Sequence, residues 1–275
     1  MRPTERPVIG FLTDFGLDGA AATCRGVMLT ICRDAQIVDI SHTIRKYAIR
    51  DGSFVLAAAL PFLPVGHHVA VVDPGVGTAR RPIAILTGRG DVLVGPDNGL
   101  LIEASVVLGG AVEARELDNP ELWLPRVSAT FHGRDIFAPV AARLAQGDAT
   151  FAEIGSSLGP ESLVRLGQPR AEVAPDRLVT QIVYVDSFGN LRLAGDRTQL
   201  EAALADLAPG STLAVRIGEA NPLRATFVDS FGAVAVGAAL LYVDSSGNLA
   251  LAENQGNLAG RTGSSDGASV VIERP

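Results

Sequence analysis

Five short stretches carry residue types able to do chemistry. "TDFG" ends an apolar run on Asp14, and "VDPGVGTARR" puts Asp73 in a glycine loop ahead of Arg80 and Arg81. "PDNG" holds Asp97 and Asn98, "FHGRD" sets His132 beside Gly133, and "DSFGN" contains Asp186, Phe188 and Asn190. The second stretch is the most telling. A turn needs no arginines, and a salt bridge does not need Gly75 and Gly77. A site for a small polar reactant uses all of these parts. His132, at the start of a helix and next to a glycine, fits a small anion-tolerant niche. Taken singly, each Asp also suits the capping of a turn or helix; their joint placement at strand ends favours a shared site.

Other chemistries fit poorly. One lysine, Lys46, among 23 basic residues leaves 22 arginines, which argues against Schiff-base chemistry, and no GxxxxGK[ST] phosphate loop exists. His67 and His68 are neighbours entering a strand, so they face opposite sides and cannot jointly hold a metal. His42 reads as a loop residue. No cluster has zinc-like spacing, so neither a metal nor a second cofactor is expected. Cys24 and Cys32 lie on one predicted helix and read as small buried hydrophobes. "DFG" and "HGRD" resemble protein-kinase motifs, but their order is reversed, the second carries an inserted glycine, and the strand lysine is missing. A net charge of −7 without a basic patch argues against nucleic acid. No apolar run reaches the ~18–20 residues of a membrane span. The N-terminal pattern is not that of a signal peptide, so a cytoplasmic protein with no membrane partner is expected.

The elements that must position these residues follow from periodicity. Strands at 7–13, 36–41 and 68–73 alternate with helices at 18–33 and 50–62, the pattern of βαβ units and a parallel sheet. Ligands of such sheets bind beyond the carboxyl ends of the strands, which is where Asp14 and Asp73 fall. Residues 81–99 read as two strands joined by a Gly-Arg-Gly turn. A helix follows over 133–146, interrupted or started late by Pro139. With 275 residues, 47% of them hydrophobic, one large or two medium domains are expected. The boundary is placed in a linker at 166–178, between an α/β domain (1–165) and a β-rich domain (179–275) with one helix at 196–207. The β-rich part contains an echo: "YVDSFGNLRLA" (184–194) and "YVDSSGNLALA" (242–252) agree at nine of eleven positions. Each reads as a hairpin whose glycine, Gly189 or Gly247, takes positive φ.

In this order and spacing, "TDFG", "VDPGVGTARR", "PDNGLL", "FHGRD" and "DSFGN" resemble the S-adenosylmethionine (SAM) hydroxide adenosyltransferases, of the superfamily that includes the SAM-dependent fluorinase and chlorinase. The resemblance runs from about residue 7 to residue 258. It implies an N-terminal α/β/α domain with a central, mostly parallel sheet and a smaller C-terminal β-barrel-like domain. It implies a homotrimer with sites at subunit interfaces, SAM as substrate and adenosine as product. Asp73, Arg80 and His132 match the trio of the hydroxide-using members. The halogenating relatives have Tyr at the Asp73 position, so the match is to a hydrolase. The alternatives are a SAM-dependent halogenase and a non-catalytic SAM- or adenosine-binding trimer. Asp14 matches the residue that holds the ribose hydroxyls, and Tyr47 an aromatic under the ribose. Asp186, Phe188 and Asn190 match residues around the methionine amino group and adenine, Phe227 one that packs on adenine, and Ser245 a contact to the methionine carboxylate. Two stretches depart from the family pattern. The loop after Asp14 is a residue shorter and lacks an aromatic, and "TIRKYAIRDG" lacks the His-Asp pair common before the next helix.

Overall fold

A computed structural model describes residues 6–167 and 169–275. The first five residues and Gln168, which fall in the expected N-terminal domain and linker, lie outside the described residues. Two compact units divide the chain, Met1–Leu166 and Gly167–Pro275.

The N-terminal unit is built on a seven-stranded sheet. Its strands are β1 (Val8–Thr13), β2 (Gln36–Ser41), β3 (His67–Val71), β4 (Pro82–Thr87), β5 (Val92–Pro96), β6 (Ala111–Glu116) and β7 (Ser157–Leu158), in the order β2-β1-β3-β5-β4-β6-β7. Pairing is parallel from β2 through β1 and β3 to β5. It is antiparallel from β5 through β4 and β6 to β7. The change of direction comes from the tight Gly88–Arg89–Gly90 turn, which sends β5 back beside β4. Helices α1 (Ala20–Ile31) and α4 (Ala138–Gln146) cover one face, and α2 (Ile49–Ala59) and α3 (Ile102–Val107) the other.

Side-chain alternation explains the three layers. Ile9 and Phe11 of β1, Val69 and Val71 of β3, and Val92 and Val94 of β5 pack with Met28 and Phe137 on the α1/α4 side. Leu12, Ala70 and Leu93 pack with Leu56, Leu100 and Leu101 on the other. Cys24 and Cys32 are free and buried, and burial pushes the Cys24 thiol up to about 12. His68 is a core strut at the edge of the sheet where β3 begins. Its Nδ1 accepts the Gly10 N–H at 3.0 Å, so Nε2 carries the proton and donates to buried Asp91 at 3.0 Å.

The C-terminal unit has strands β8 (Glu172–Ala174), β9 (Arg177–Val185), β10 (Leu191–Asp196), β11 (Thr212–Ile217), β12 (Leu223–Phe227), β13 (Ala239–Val243), β14 (Asn248–Glu253) and β15 (Ser269–Glu273). Seven of them close a barrel, β10-β14-β13-β12-β11-β15-β9, because β9 also pairs with β10; β8 adds to β9 outside the ring. The helix expected at 196–207 is shorter. Asp196 caps α5 (Arg197–Ala203) by accepting from Gln199 N, and the helix stops at Leu204 in extended backbone. Both echo hairpins are present, with Gly189 at φ 82° and Gly247 at φ 84°.

Candidate functional site

β1 and β3 are parallel neighbours, so Asp14 and Asp73 leave the sheet at the same edge. From β3 the chain must cross the end of β5 to enter β4, and residues 73–80 make that crossing. The loop is pinned by Val76 N to Asp73 O at 3.3 Å and Thr78 N to Gly75 O at 3.2 Å. Gly77 sits at φ 77°, and an added Cβ would lie 2.4 Å from the Ala129 carbonyl oxygen, so the close approach requires glycine there. Gly75 is not crowded in this way; its nearest neighbour would be at 3.4 Å.

This turn swings Arg80 back onto Asp73. Arg80 Nε donates to Asp73 Oδ1 at 3.1 Å and Nη2 donates to Oδ2, a two-pronged pair whose side chains are only 7% and 5% exposed. Nη2 also meets His132 Nδ1 at 3.2 Å, and the guanidinium lies over the Phe137 ring at 5.4 Å. Arg80 Nη1 is buried and meets no acceptor among the described residues. Because Nδ1 of His132 faces a guanidinium donor, the neutral ring keeps its proton on Nε2. Burial, and then the Arg80 charge, lower the His132 pKa from its ordinary value.

His132 is held by the stretch around it. A π-helical turn, Gly133–Phe137, leads into α4, with Pro139 near the helix start where its missing N–H costs nothing. Buried Asp135 accepts Ser128 N at 2.8 Å and Arg134 Nε at 2.6 Å, fixing the loop that carries His132. Phe15 packs edge-on to Phe131, and an added Cβ on Gly133 would stand 3.1 Å from the Phe15 ring.

Asp14 Oδ2 accepts the Tyr47 N–H at 2.9 Å. Tyr47 adopts φ 67°, a left-handed backbone, and its side chain is 69% exposed. The stretch lacking the family's His-Asp pair has another anchor: Arg45 donates to buried Asp51 at 2.6 and 2.9 Å. Asp97 and Arg81 are occupied elsewhere. Arg81 Nε donates to Asp97 at 2.9 Å, and the pair holds Ser162 O and Val164 N. Asn98 Nδ2 donates to Val72 O at 2.9 Å, tying down the residue before Asp73. Periodicity and spacing did not reveal these supports, because their partners are distant in sequence.

The C-terminal unit has a cleft of about 500 Å³ whose lining includes Asp186, Phe188, Asn190, Phe231, Tyr242 and Glu253. Asp186 directs its carboxylate into its own turn, accepting Phe188 N and Asn190 N at 2.9 Å and Asn190 Nδ2 at 2.8 Å. That leaves Phe188 standing out, 74% exposed. Phe231 meets Tyr242 edge-on at 5.0 Å. Burial, and then Asp186 and Asp244, push the Tyr242 hydroxyl up to about 12, so it stays a neutral donor.

A family model for the SAM hydroxide adenosyltransferase N-terminal domain matches residues 9–155, and one for the C-terminal domain matches residues 180–271. The chain belongs to this family. It is 46% identical to an (R)-S-adenosyl-L-methionine hydrolase of Salinispora tropica, with 99% of each chain covered. It is 30% identical to a fluorinase of Actinopolyspora mzabensis, with 98% of each covered. A crystal structure of an uncharacterized conserved protein from Thermotoga maritima matches with TM-score 0.88 and 34% identity, over 97% of this chain and all of that one.

Two residues expected from the SAM hydroxide adenosyltransferase pattern are not among the described residues that line this cleft. Phe227 is 1% exposed in the barrel core, because alternation along β12 turns Ala225 and Phe227 inward; Arg197 covers its ring at 5.7 Å. The Phe227 ring thus packs in the barrel core, and the aromatics that line the cleft are Phe188, Phe231 and Tyr242. Ser245 lies exposed in the turn of the second hairpin and is not among the described residues that line the cleft.

Proposed function

We propose that the protein hydrolyses SAM to adenosine and L-methionine, with water attacking the ribose C5′. The observation that carries the reading is the buried Asp73–Arg80 pair beside His132, with Arg80 Nη1 left without an acceptor among the described residues. A buried guanidinium N–H without a partner is costly. An oxygen of the bound reactant would satisfy it.

The assignment of roles follows from the hydrogen bonds. Asp73 accepts the water proton on a lone pair that Arg80 does not use, and passes it to solvent. Arg80, gripping that carboxylate through Nε and Nη2, fixes the direction of the lone pair. His132 cannot accept the proton in this arrangement, because its free nitrogen lone pair already takes an Arg80 N–H; the imidazole instead holds the guanidinium in place. As the O–C5′ bond forms, the C5′–S bond breaks and its electron pair returns to sulfur, leaving neutral methionine thioether. The sulfonium needs no general acid, and a positioned base supplies ~10²–10⁴-fold. The reaction so written draws on protein side chains, without metal or second cofactor. Asp14 holds the ribose hydroxyls and Tyr47 lies under the sugar. Phe188 and Asn190 receive the rest of SAM.

Greater identity to the named hydrolase than to the named fluorinase supports water over halide as nucleophile. The experiment is incubation with SAM, with and without chloride or fluoride, followed by chromatography. Adenosine plus methionine is expected. A 5′-halogenated nucleoside would make it a halogenase, and no product despite SAM binding would make it a non-catalytic binder. The reading also includes a homotrimer with sites at subunit interfaces and a cytoplasmic location, tested by sedimentation and by cell fractionation. Among the described residues no helix is long and apolar enough to cross a membrane.

A further inference from the structure

His42 grips the Asp14 turn at both ends. Its backbone carbonyl accepts Gly16 N at 2.7 Å. Its ring Nδ1 lies 2.9 Å from Thr13 Oγ, and that same oxygen accepts Phe15 N at 3.2 Å. The ring is itself fixed. Nε2 lies 3.0 Å from Asp39 Oδ1, Asp39 pairs with Arg25 at 3.0 Å, and the Phe11 ring meets the imidazole edge-on at 4.8 Å. One set of donors satisfies every contact. Phe15 N–H donates to Thr13 Oγ, the Thr13 hydroxyl donates to His42 Nδ1, and Nε2–H donates to Asp39. The bonds run head to tail, an arrangement in which each polarises the next. Thr13 is fully buried, so its hydroxyl has no water to turn to if the ring is lost.

We propose that His42 is a positioning residue for nucleoside binding: through Thr13 it sets the turn that aims Asp14. The inference rests on the hydrolase reading, since it takes Asp14 to hold the ribose hydroxyls. Asp14 lies between the two pinned residues, Thr13 and Phe15, and its carboxylate is already engaged on one side by Tyr47 N. A small rotation of the turn would move the carboxylate away from a diol without touching Asp73 or Arg80. The cost therefore falls on affinity and not on the chemical step.

The test compares His42→Ala, His42→Asn and His42→Gln by adenosine calorimetry and by SAM kinetics. Asn can offer an oxygen where Nδ1 stands and so keeps the Thr13 arm; Gln can reach Asp39 but loses Thr13. His42→Ala and His42→Gln are expected to raise adenosine Kd and SAM KM about tenfold with kcat within about threefold, and His42→Asn to restore most of the affinity. Thr13→Val, which removes the relay oxygen, should match His42→Ala, and it carries the test if His42→Ala does not fold. Unchanged adenosine affinity in Thr13→Val and the His42 variants, with wild type releasing adenosine from SAM, would overturn the clamp and leave the hydrolase reading standing. Rescue by Gln and not by Asn would overturn it as well. If wild type neither binds nor releases adenosine, the reading itself fails, and this inference with it.

Discussion

In the N-terminal unit, Asp73 and Arg80 are 5% and 7% exposed at their side chains and bind each other on two atoms. In the C-terminal unit, Phe188 is 74% exposed and lines an open cleft. The two regions hold different kinds of group in different ways. Buried charges locked in a fork keep their geometry while something reacts beside them, and a dry setting strengthens each contact. An exposed ring on a tight turn offers a flat apolar face at little entropic cost. On the proposed function, turnover belongs to the first region and affinity to the second.

The largest effect should come from changing the fork. Arg80→Lys keeps the charge but cannot make two parallel bonds, and kcat is expected to fall about 100-fold, the scale of losing one aimed donor. Phe188→Ala should instead raise SAM KM about tenfold and leave kcat nearly unchanged. Steady-state kinetics on both variants checks the division. Equal loss of kcat in the two would erase it.

A second comparison lies within the barrel, where one motif is used twice. An added Cβ on Gly189 would stand 2.0 Å from Asn257 Oδ1, which caps α6 (Leu258–Thr262) by accepting from Gly260 N; one on Gly247 would meet none of the described residues within 4 Å beyond its chain neighbours. Gly247→Ala should cost about 1–2 kcal/mol from positive φ alone. Gly189→Ala should cost about 1 kcal/mol more through the lost cap. Urea denaturation of the two variants measures the gap. The echo also breaks where Arg192 stands opposite Ala250 in the β10–β14 pairing, and Arg192 reaches across to Asp244 at 2.5 Å. The second turn's Asp is thus engaged by the first hairpin.

A smaller effect concerns pH. The folded pKa of His132 is lowered, so the unfolded chain binds more protons between that value and the ordinary one near ~6.5. In that window stability rises with pH. It is fully present above ~6.5 and is lost as pH falls through the folded value. Protonation there also places an N–H against Arg80, so activity should decline over the same acid limb. His132→Asn keeps an acceptor for Arg80 without titrating, and should flatten that limb in a kcat profile.

Much of this was legible in the sequence because strand ends and glycine turns are local signals. Asp14, Asp73 and the two hairpin glycines each follow a short apolar run, and parallel strands bring the first two to one edge. The reversal of β4, β5 and β6 was harder, since a short Gly-Arg-Gly turn announces a hairpin but not which existing strand it joins. Phe227 and Phe231 illustrate another limit. Phe227 ends β12, whose register in the closed barrel turns its ring into the core, whereas Phe231 lies in the turn beyond that strand. The Arg81–Asp97 pair looked like site chemistry and is an anchor for residues 162–164, a role set by chain far away. His42 looked like a loop residue because its partners, Thr13 and Asp39, come from two different strands.

The most direct measurement is single-turnover release of adenosine by Asp73→Asn, with SAM affinity determined separately. The amide is nearly isosteric and can still accept from Arg80, but it cannot take the water proton. A loss of about 100-fold or more in release, with affinity near wild type, is expected. Release at the wild-type rate would contradict the account and leave Asp73 as a turn-forming residue in a loop that does no chemistry.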